Sequence, residues 1–190
     1  MDFQENERPI LLDCAGGTRQ DGAVQTLQYK KRLLYSKYDP TRAVLSLVQK
    51  NTPVAPGSLI LVCSPCLCYG MAARYQKLVP AHGTAAEQDA DIIAVEADEA
   101  LCEIARQRLA GQAEQPAADG KACQLSLYAG TELDALDAKL RRLAATGKYR
   151  RVLRLDFSAG TALAPDFYAR VTAAAQDIIA TFWKNKITLV

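Results

Sequence analysis

The stretch LILVCSPCLCYG at residues 59–70 decides the fold predicted for this chain. It begins with an unbroken apolar run, which is typical of a strand buried on both faces of a parallel sheet. An α/β domain usually has glycines in the turn that follows, because glycine permits positive φ and close approach of backbone N–H groups to a ligand. Here the turn contains Ser64, Pro65, Cys66 and Cys68. Three roles are open for it: binding a nucleotide or adenosyl cofactor, binding a metal ion, or packing the strand against a helix.

Strand and helix patterns alternate from this stretch to the end of the chain, which predicts a parallel sheet. The predicted strands are SLILVC, DIIAVEA, CQLSLYA and RVLRLDF, which begin at Ser58, Asp91, Cys123 and Arg151. The first two are almost wholly apolar and the last two alternate, so the first two should be central. We therefore predict an α/β fold with the strand order 3-2-1-4, a Rossmann-like sheet that corresponds to half of a methyltransferase-like domain. Ligands of such sheets bind at the carboxyl ends of the first two strands.

The first fifty residues have a different pattern. The segments ILLDCAGGT and AVQTLQYKKRLLYS predict two or three short antiparallel strands, and Asp39 followed by Pro40 predicts the start of a short helix. The segment NTPVAPG then interrupts the chain. We divide the sequence into an N-terminal β-hairpin and helix extension, residues 1–52, and a Rossmann-like domain, residues 53–190, that ends in a long helix.

Composition limits the classes of partner. The 190 residues are 49% hydrophobic and 23% charged, with a net charge of +2, so there is no general attraction to nucleic acid. The sequence predicts neither a secretory signal nor a membrane span, and we expect a cytoplasmic protein without a membrane partner. A chain of this size does not need disulfides, so its six cysteines are expected to be reduced and mostly buried.

Two carboxylates mark the candidate site. Glu96 closes the second predicted strand, where Rossmann-like proteins bind a ribose hydroxyl, and Asp156 ends the fourth. A polar strand end at the surface would explain either residue as well. The candidate cofactor-binding residues are Ser64, Cys66, Cys68, Gly70, Glu96 and Asp156.

The composition of the turn argues against a bound group. Pro65 has no N–H to offer, and Gly70 is the only residue in the turn free to adopt positive φ. The cysteines of CSPCLC do not have the spacing of a closed zinc site. We expect no cofactor and no metal, and we prefer the packing role. His82 is the only histidine, and no nucleophile pairs with it in the sequence, so the catalytic residues are unknown.

The segments LLYSKYDPTRAV, LILVCSPCLCYG and DIIAVEADEALCEIA together resemble the N-terminal part of a known family. It is the family of 6-hydroxymethylpterin diphosphokinase-like proteins, which includes the motility accessory factor glycosyltransferases of bacterial flagellin. The Ser-Lys-Tyr-Asp-Pro stretch is the most specific piece. The family's turn usually reads Gly-x-Gly-x-Gly-Tyr; here Ser64, Cys66 and Cys68 stand at the three glycines, and Tyr69 is kept.

The resemblance implies a Rossmann-like N-terminal domain. In full-length members a larger domain follows and transfers a nonulosonic acid sugar from its nucleotide-activated donor to flagellin. We interpret this chain as the N-terminal domain, non-catalytic by itself, with flagellin or a C-terminal catalytic domain as its partner. One alternative is a small adenosylmethionine-dependent methyltransferase-like enzyme, and another is a pure protein-interaction module. The apolar residues that crowd the last helix, among them Phe182, Trp183 and Ile187, lead us to expect a homo-oligomer.

Overall fold

A computed structural model describes residues 8–19, 22–51, 54–69, 71, 91–112 and 124–188. The fold is α/β, with a four-stranded parallel sheet and a separate three-stranded antiparallel sheet. Among the described helices, none combines the length and apolar composition required to cross a bilayer.

The parallel sheet contains strands β4 (Ser58–Cys63), β5 (Asp91–Glu96), β6 (Gln124–Ala129) and β7 (Arg151–Asp156). They lie in the order β6-β5-β4-β7, which is the third, second, first and fourth of the parallel strands along the chain. Every residue of β4 is buried, and β5 is buried beyond its first residue, as their apolar composition predicts. The register pairs Cys63 with both Val95 and Asp156, so the three strands end at one edge of the sheet.

Helices cover both faces of this sheet. Among the described residues, the helices with defined bounds are α1 (Arg42–Lys50), α2 (Glu99–Gln112), α3 (Leu133–Ala145) and α4 (Pro165–Thr188), and a short 3₁₀ helix, Ala159–Leu163, precedes α4. Buried residues of α1 and α2 form one apolar core with the side chains of Ile60, Ile92 and their neighbours. Buried residues of α3 and α4 form a second core with those of Leu61, Ile93 and their neighbours.

The N-terminal extension packs onto the first of these cores. It contains strands β1 (Ile10–Arg19), β2 (Gly22–Tyr29) and β3 (Arg32–Leu33), paired antiparallel in that order, which confirms the predicted antiparallel strands. Leu27, Leu34 and Tyr35 are buried in the same cluster as Ile60 and Val62 of β4. The extension therefore shares its apolar core with the parallel sheet, and the proposed boundary at residue 52 lies outside the described residues.

Three details of the helices differ from the sequence prediction. Helix α1 has Thr41 as its N-cap, two residues later than predicted, although Asp39 Oδ1 still accepts the Arg42 N–H at 3.1 Å. The TELD pattern at residues 131–134 predicts a capping box at the start of α3. Instead, Glu132 is the N-cap without a capping side chain, and Thr131 donates its hydroxyl to Glu99. On α4 the spacing of Phe167, Val171, Ala174 and Ile178 predicts one inward face, but Ala174 is exposed. The buried residues of α4 are Tyr168, Val171, Ala175 and Ile179.

The apolar end of α4 is partly covered by the protein itself. Trp183 Nε1 donates to the Tyr149 carbonyl at 2.6 Å, and the Arg150 guanidinium lies 4.4 Å from the indole centroid. Phe182 and Trp183 pack against the second core, whereas Ile187 is 73% exposed. Much of the apolar surface that the sequence places on the last turns is thus used within the chain.

We predict that Trp183→Ala lowers the free energy of unfolding by about 2–3 kcal/mol, at or below the lower end of the range for aromatic-to-alanine changes, because the indole is only partly buried. The matched control is Ile187→Ala, one turn later and exposed, which should change stability by less than about 0.5 kcal/mol. Urea denaturation of both variants measures the difference. Equal losses would contradict a specific role for the indole.

Candidate functional site

The turn after β4 has the backbone conformation of a glycine-rich turn without its glycines. Ser64, Cys66 and Cys68 have φ values of +53°, +41° and +53°, in the left-handed region. A residue with a Cβ adopts this region only at a cost of about 1–3 kcal/mol, so surrounding contacts must hold the turn in place. Composition alone predicts that only Gly70 has this freedom, and Gly70 lies outside the described residues.

The N–H groups of the turn are already used within the protein. Ser64 N–H donates to the Val95 carbonyl at 3.0 Å, and Cys68 N–H donates to the Pro65 carbonyl at 2.8 Å. The Cys66 backbone N–H lies near the Glu96 carboxyl and lowers its pKa. Leu67 N–H donates to the Tyr35 hydroxyl at 3.1 Å, and proline has no N–H. Ser64, Leu67 and Cys68 therefore offer no free backbone donor to the phosphate of a nucleotide in this conformation.

Tyr35 connects the N-terminal extension to this turn. Its hydroxyl accepts from Leu67 N–H and donates to the Pro65 carbonyl at 2.8 Å, so one buried group satisfies two backbone groups of the turn. Its ring also makes an edge-to-face contact with the Tyr69 ring at a centroid distance of 5.5 Å. In turn, the Tyr69 hydroxyl donates to the Gln25 carbonyl of β2 and accepts the Gln25 N–H at 3.0 Å.

Glu96 is the centre of the site. Its side chain is 1% exposed at the end of β5, directly beside the turn. Tyr168 donates its hydroxyl to Glu96 Oε1 at 2.7 Å. Ser64 Oγ and Cys66 Sγ donate to Glu96 Oε2 at 3.2 Å and 3.3 Å. Both carboxyl oxygens are thus engaged by side chains from β4's turn and from α4.

The ionisable groups of this cluster are buried, which disfavours their charged forms. Burial raises the pKa of Glu96, although the donors from Tyr168 and Cys66 oppose the shift, and no described cation forms an ion pair with the carboxyl. Burial and the neighbouring Glu96 also raise the pKa of the Cys66 thiol well above its ordinary value. Because the thiolate is the nucleophilic form of cysteine, Cys66 is not activated for covalent catalysis.

The segment after β7 closes the cluster from the other side. Ser158 Oγ lies 2.9 Å from Ser64 Oγ and 3.4 Å from Cys66 Sγ. Gly160 follows in the 3₁₀ helix, where an added Cβ would lie 2.1 Å from Ser64 Oγ. The absence of a side chain at Gly160 therefore lets this helix pack directly on the turn.

The structure brings some of the predicted site residues together and separates others. Ser64, Cys66 and Glu96 are in mutual contact. Cys68 Sγ lies 3.6 Å from the Ala105 carbonyl of α2. Asp156 is exposed, and its Oδ1 accepts from Arg154 Nε at 2.8 Å.

Five cysteines fall within the described residues, and all five are buried without a disulfide between them: Cys14, Cys63, Cys66, Cys68 and Cys102. Their predicted burial is confirmed; Cys123 and His82 lie outside the described part of the chain. Within that part, no group of three or more His, Cys, Asp or Glu residues is arranged to hold a metal ion.

Sequence reasoning missed the three partners that complete the cluster: Tyr168, Ser158 and Tyr35. Tyr168 lies 72 residues from Glu96 in the chain and is buried among apolar residues of α4, so no local motif indicates its role. For Tyr35 a signal was present, since it belongs to the LLYSKYDP stretch. Ser158 follows the observed end of β7 by two residues, a position where polar residues are common in any α/β protein.

Comparisons with protein-family models, curated proteins and solved structures find no match to this chain.

We predict that Cys68→Gly is more stable to urea than Cys68→Ala by about 1 kcal/mol, because both variants remove the thiol and glycine alone relieves the positive φ. The control is the neighbouring Leu67, which does not have positive φ. There, Gly should be less stable than Ala by about 0.5–1 kcal/mol. If the stability difference between the glycine and alanine variants had the same sign at Leu67 and Cys68, the inferred backbone strain at Cys68 would be contradicted.

We also predict that the raised pKa of Glu96 makes stability depend on pH. The folded state binds the proton more tightly than the unfolded chain, so the free energy of unfolding decreases as pH rises from the unfolded value, about 4.3, through the folded pKa. The variant Glu96→Gln should lack this decrease, whereas the exposed control Glu103→Gln should keep it. Urea denaturation at a series of pH values tests this, and parallel profiles for wild type and Glu96→Gln would refute it.

Proposed function

We propose that this chain is a Rossmann-like domain of the motility accessory factor type that takes part in glycosylation of flagellin with nonulosonic acid and is non-catalytic by itself. Its partners would be flagellin or a C-terminal catalytic domain of the same family, in the cytoplasm. The strand order 3-2-1-4 and the helices on both faces are compatible with such a domain.

The stretches that carry the family resemblance also meet in space. The LLYSKYDP stretch provides Tyr35, which hydrogen-bonds to Pro65 and Leu67 of the CSPCLC turn. Ser64, Cys66 and Cys68, which stand at the family's three glycines, have the positive φ that glycine favours. A common ancestry with a glycine-rich turn would explain why residues that disfavour this conformation adopt it here.

One observation carries the non-catalytic part of the proposal. The backbone N–H groups of Ser64, Leu67 and Cys68 are engaged, and Pro65 has none. The Glu96 carboxyl is buried under Tyr168, Ser64 and Cys66. A turn that binds a nucleotide must present N–H groups to phosphate, and a ribose-binding carboxylate must be accessible. We infer that this turn maintains the fold and leaves sugar transfer to another domain.

A methyltransferase-like activity is the second candidate. It is favoured by the position of Glu96, which ends β5 beside the turn after β4, where a ribose would be bound. In that case adenosylmethionine would have to displace Ser64 and Cys66 from the carboxyl. A pure protein-interaction module is compatible with the closed cluster as well. It differs from the main proposal only in its binding partner, so a test of flagellin binding distinguishes the two.

We predict that S-adenosylmethionine, NAD and CMP produce no stabilisation of the 190-residue chain in thermal unfolding at millimolar ligand. A ligand with a Kd of about 10 µM present at 100 times that concentration would add about 2.7 kcal/mol, which such an assay resolves. Micromolar binding of S-adenosylmethionine that is lost in Glu96→Ala and retained in the exposed control Glu103→Ala would contradict the proposal and support the methyltransferase alternative.

Flagellin itself tests the positive part of the proposal. Purified flagellin monomers should bind the chain in a titration, yet gain no mass when CMP-activated nonulosonic acid is added. A mass increase on flagellin would contradict the non-catalytic assignment. Absence of flagellin binding, both alone and with a family catalytic domain added, would overturn the assignment to flagellin glycosylation.

A further inference from the structure

The outer strand of the N-terminal sheet has an unusual surface. Ile10, Leu11 and Leu12 of β1 are consecutive and are 49%, 42% and 37% exposed, although side chains of neighbouring strand residues point to opposite faces. Within the described residues, β1 pairs only with β2, so its other edge is unpaired. Edge strands with exposed apolar residues and no charge among them are sites where another strand adds.

The register identifies the backbone groups on the free edge. Leu34 N–H donates to the Leu27 carbonyl, so the polar groups of Leu27 point toward β3 and away from β1. Leu27 is paired with Leu11, and Gln25 with Asp13. Because backbone groups alternate sides along an antiparallel strand, the N–H and C=O groups of Leu11 and Asp13 point outward from the sheet.

We propose that β1 pairs antiparallel with β1 of a second copy of this chain about a two-fold axis at Leu11. An antiparallel two-fold pairing must place one residue opposite itself, and a closely hydrogen-bonded self-pair requires outward-pointing N–H and C=O groups, as Leu11 has. Ile10 then lies opposite Leu12 of the other copy. Asp13 N–H donates to the other copy's Pro9 carbonyl, and since proline has no N–H, the ladder ends there.

Charge favours this arrangement over the alternatives. Arg8 and Asp13 flank the apolar triplet and are both exposed. Antiparallel pairing brings Arg8 of one copy and Asp13 of the other to the same end of the ladder, whereas parallel pairing would bring like charges together. A two-fold axis at Asp13, the other outward-pointing residue, would place two aspartates opposite each other, which destabilises a strand pair.

The register can be tested by mixing two cysteine variants. Residues 10 and 12 of opposite copies would be a non-hydrogen-bonded pair with Cα atoms about 4.5 Å apart, within the range for a disulfide. A mixture of Ile10→Cys and Leu12→Cys should therefore give a cross-linked dimer under mild oxidation. Either variant alone would hold its new cysteines more than about 7 Å apart and should give no more cross-linking than wild type.

Proline substitution tests the hydrogen bonds without breaking the hairpin. Leu11 N–H points away from β2, so Leu11→Pro removes two intermolecular bonds and should weaken dimerisation by about tenfold or more in analytical ultracentrifugation. Leu33→Pro is the matched control, because Leu33 is 42% exposed on the opposite edge of the sheet and its N–H also points outward by the same alternation.

The outcomes are decisive in both directions. A wild-type dimer that is weakened by Leu11→Pro and not by Leu33→Pro, with the mixed cross-link, supports the pairing. A wild-type monomer at about 100 µM, where a dimer of micromolar Kd would be nearly complete, overturns it. Equal loss in both proline variants, or cross-linking of Ile10→Cys alone, also overturns it. Because the pairing does not involve Glu96 or the turn after β4, its test is independent of the tests of the proposed function.

Discussion

The Glu96 carboxyl and its donors determine the arrangement of the carboxyl edge of the parallel sheet. A buried carboxyl without a cationic partner is costly unless its oxygens are hydrogen-bonded. Here the donors come from two separate parts of the chain: Ser64 and Cys66 of the turn after β4, and Tyr168 of α4. One carboxyl therefore joins β5 to the turn on one side and to the last helix on the other.

The N-terminal extension stabilises the same turn by a different route. The Tyr35 hydroxyl accepts from Leu67 N–H and donates to the Pro65 carbonyl, which also accepts from Cys68 N–H. The Tyr69 hydroxyl likewise pairs with both backbone groups of Gln25 of β2. A left-handed turn built from residues with side chains is held only when such contacts outweigh its strain. The extension is thus a structural requirement of the turn as well as a covering layer on the first core.

The sequence predicts the large-scale fold well because hydrophobic periodicity reports burial directly. The continuous apolar runs at Ser58 and Asp91 identify the central strands, and the alternation in the last two strands places them at the edges, as observed. The helix ends are less predictable: Thr131 donates to Glu99 of α2, so a tertiary contact replaces the local capping box. The site is less predictable still. Glu96 is recognisable from its position at a strand end, but its burial depends on Tyr168, which only the folded chain brings near.

The closed cluster also sets a thermodynamic limit on ligand binding. A nucleotide that uses Glu96 must first displace the Ser64 and Cys66 donors, and an ordinary hydrogen bond contributes about 0.5–1.5 kcal/mol net. Opening two such bonds would thus require about 1–3 kcal/mol, which leaves between about one molecule in six and about one in a hundred open. Since apparent affinity falls in proportion to the population of the competent state, an intrinsic micromolar site would bind about six to a hundred times more weakly. The Leu67 N–H would still be held by Tyr35, and the ligand would have to compete with a buried hydroxyl for it. The residues that stabilise this turn in the absence of glycine therefore also oppose the nucleotide binding for which other α/β proteins use a glycine-rich turn.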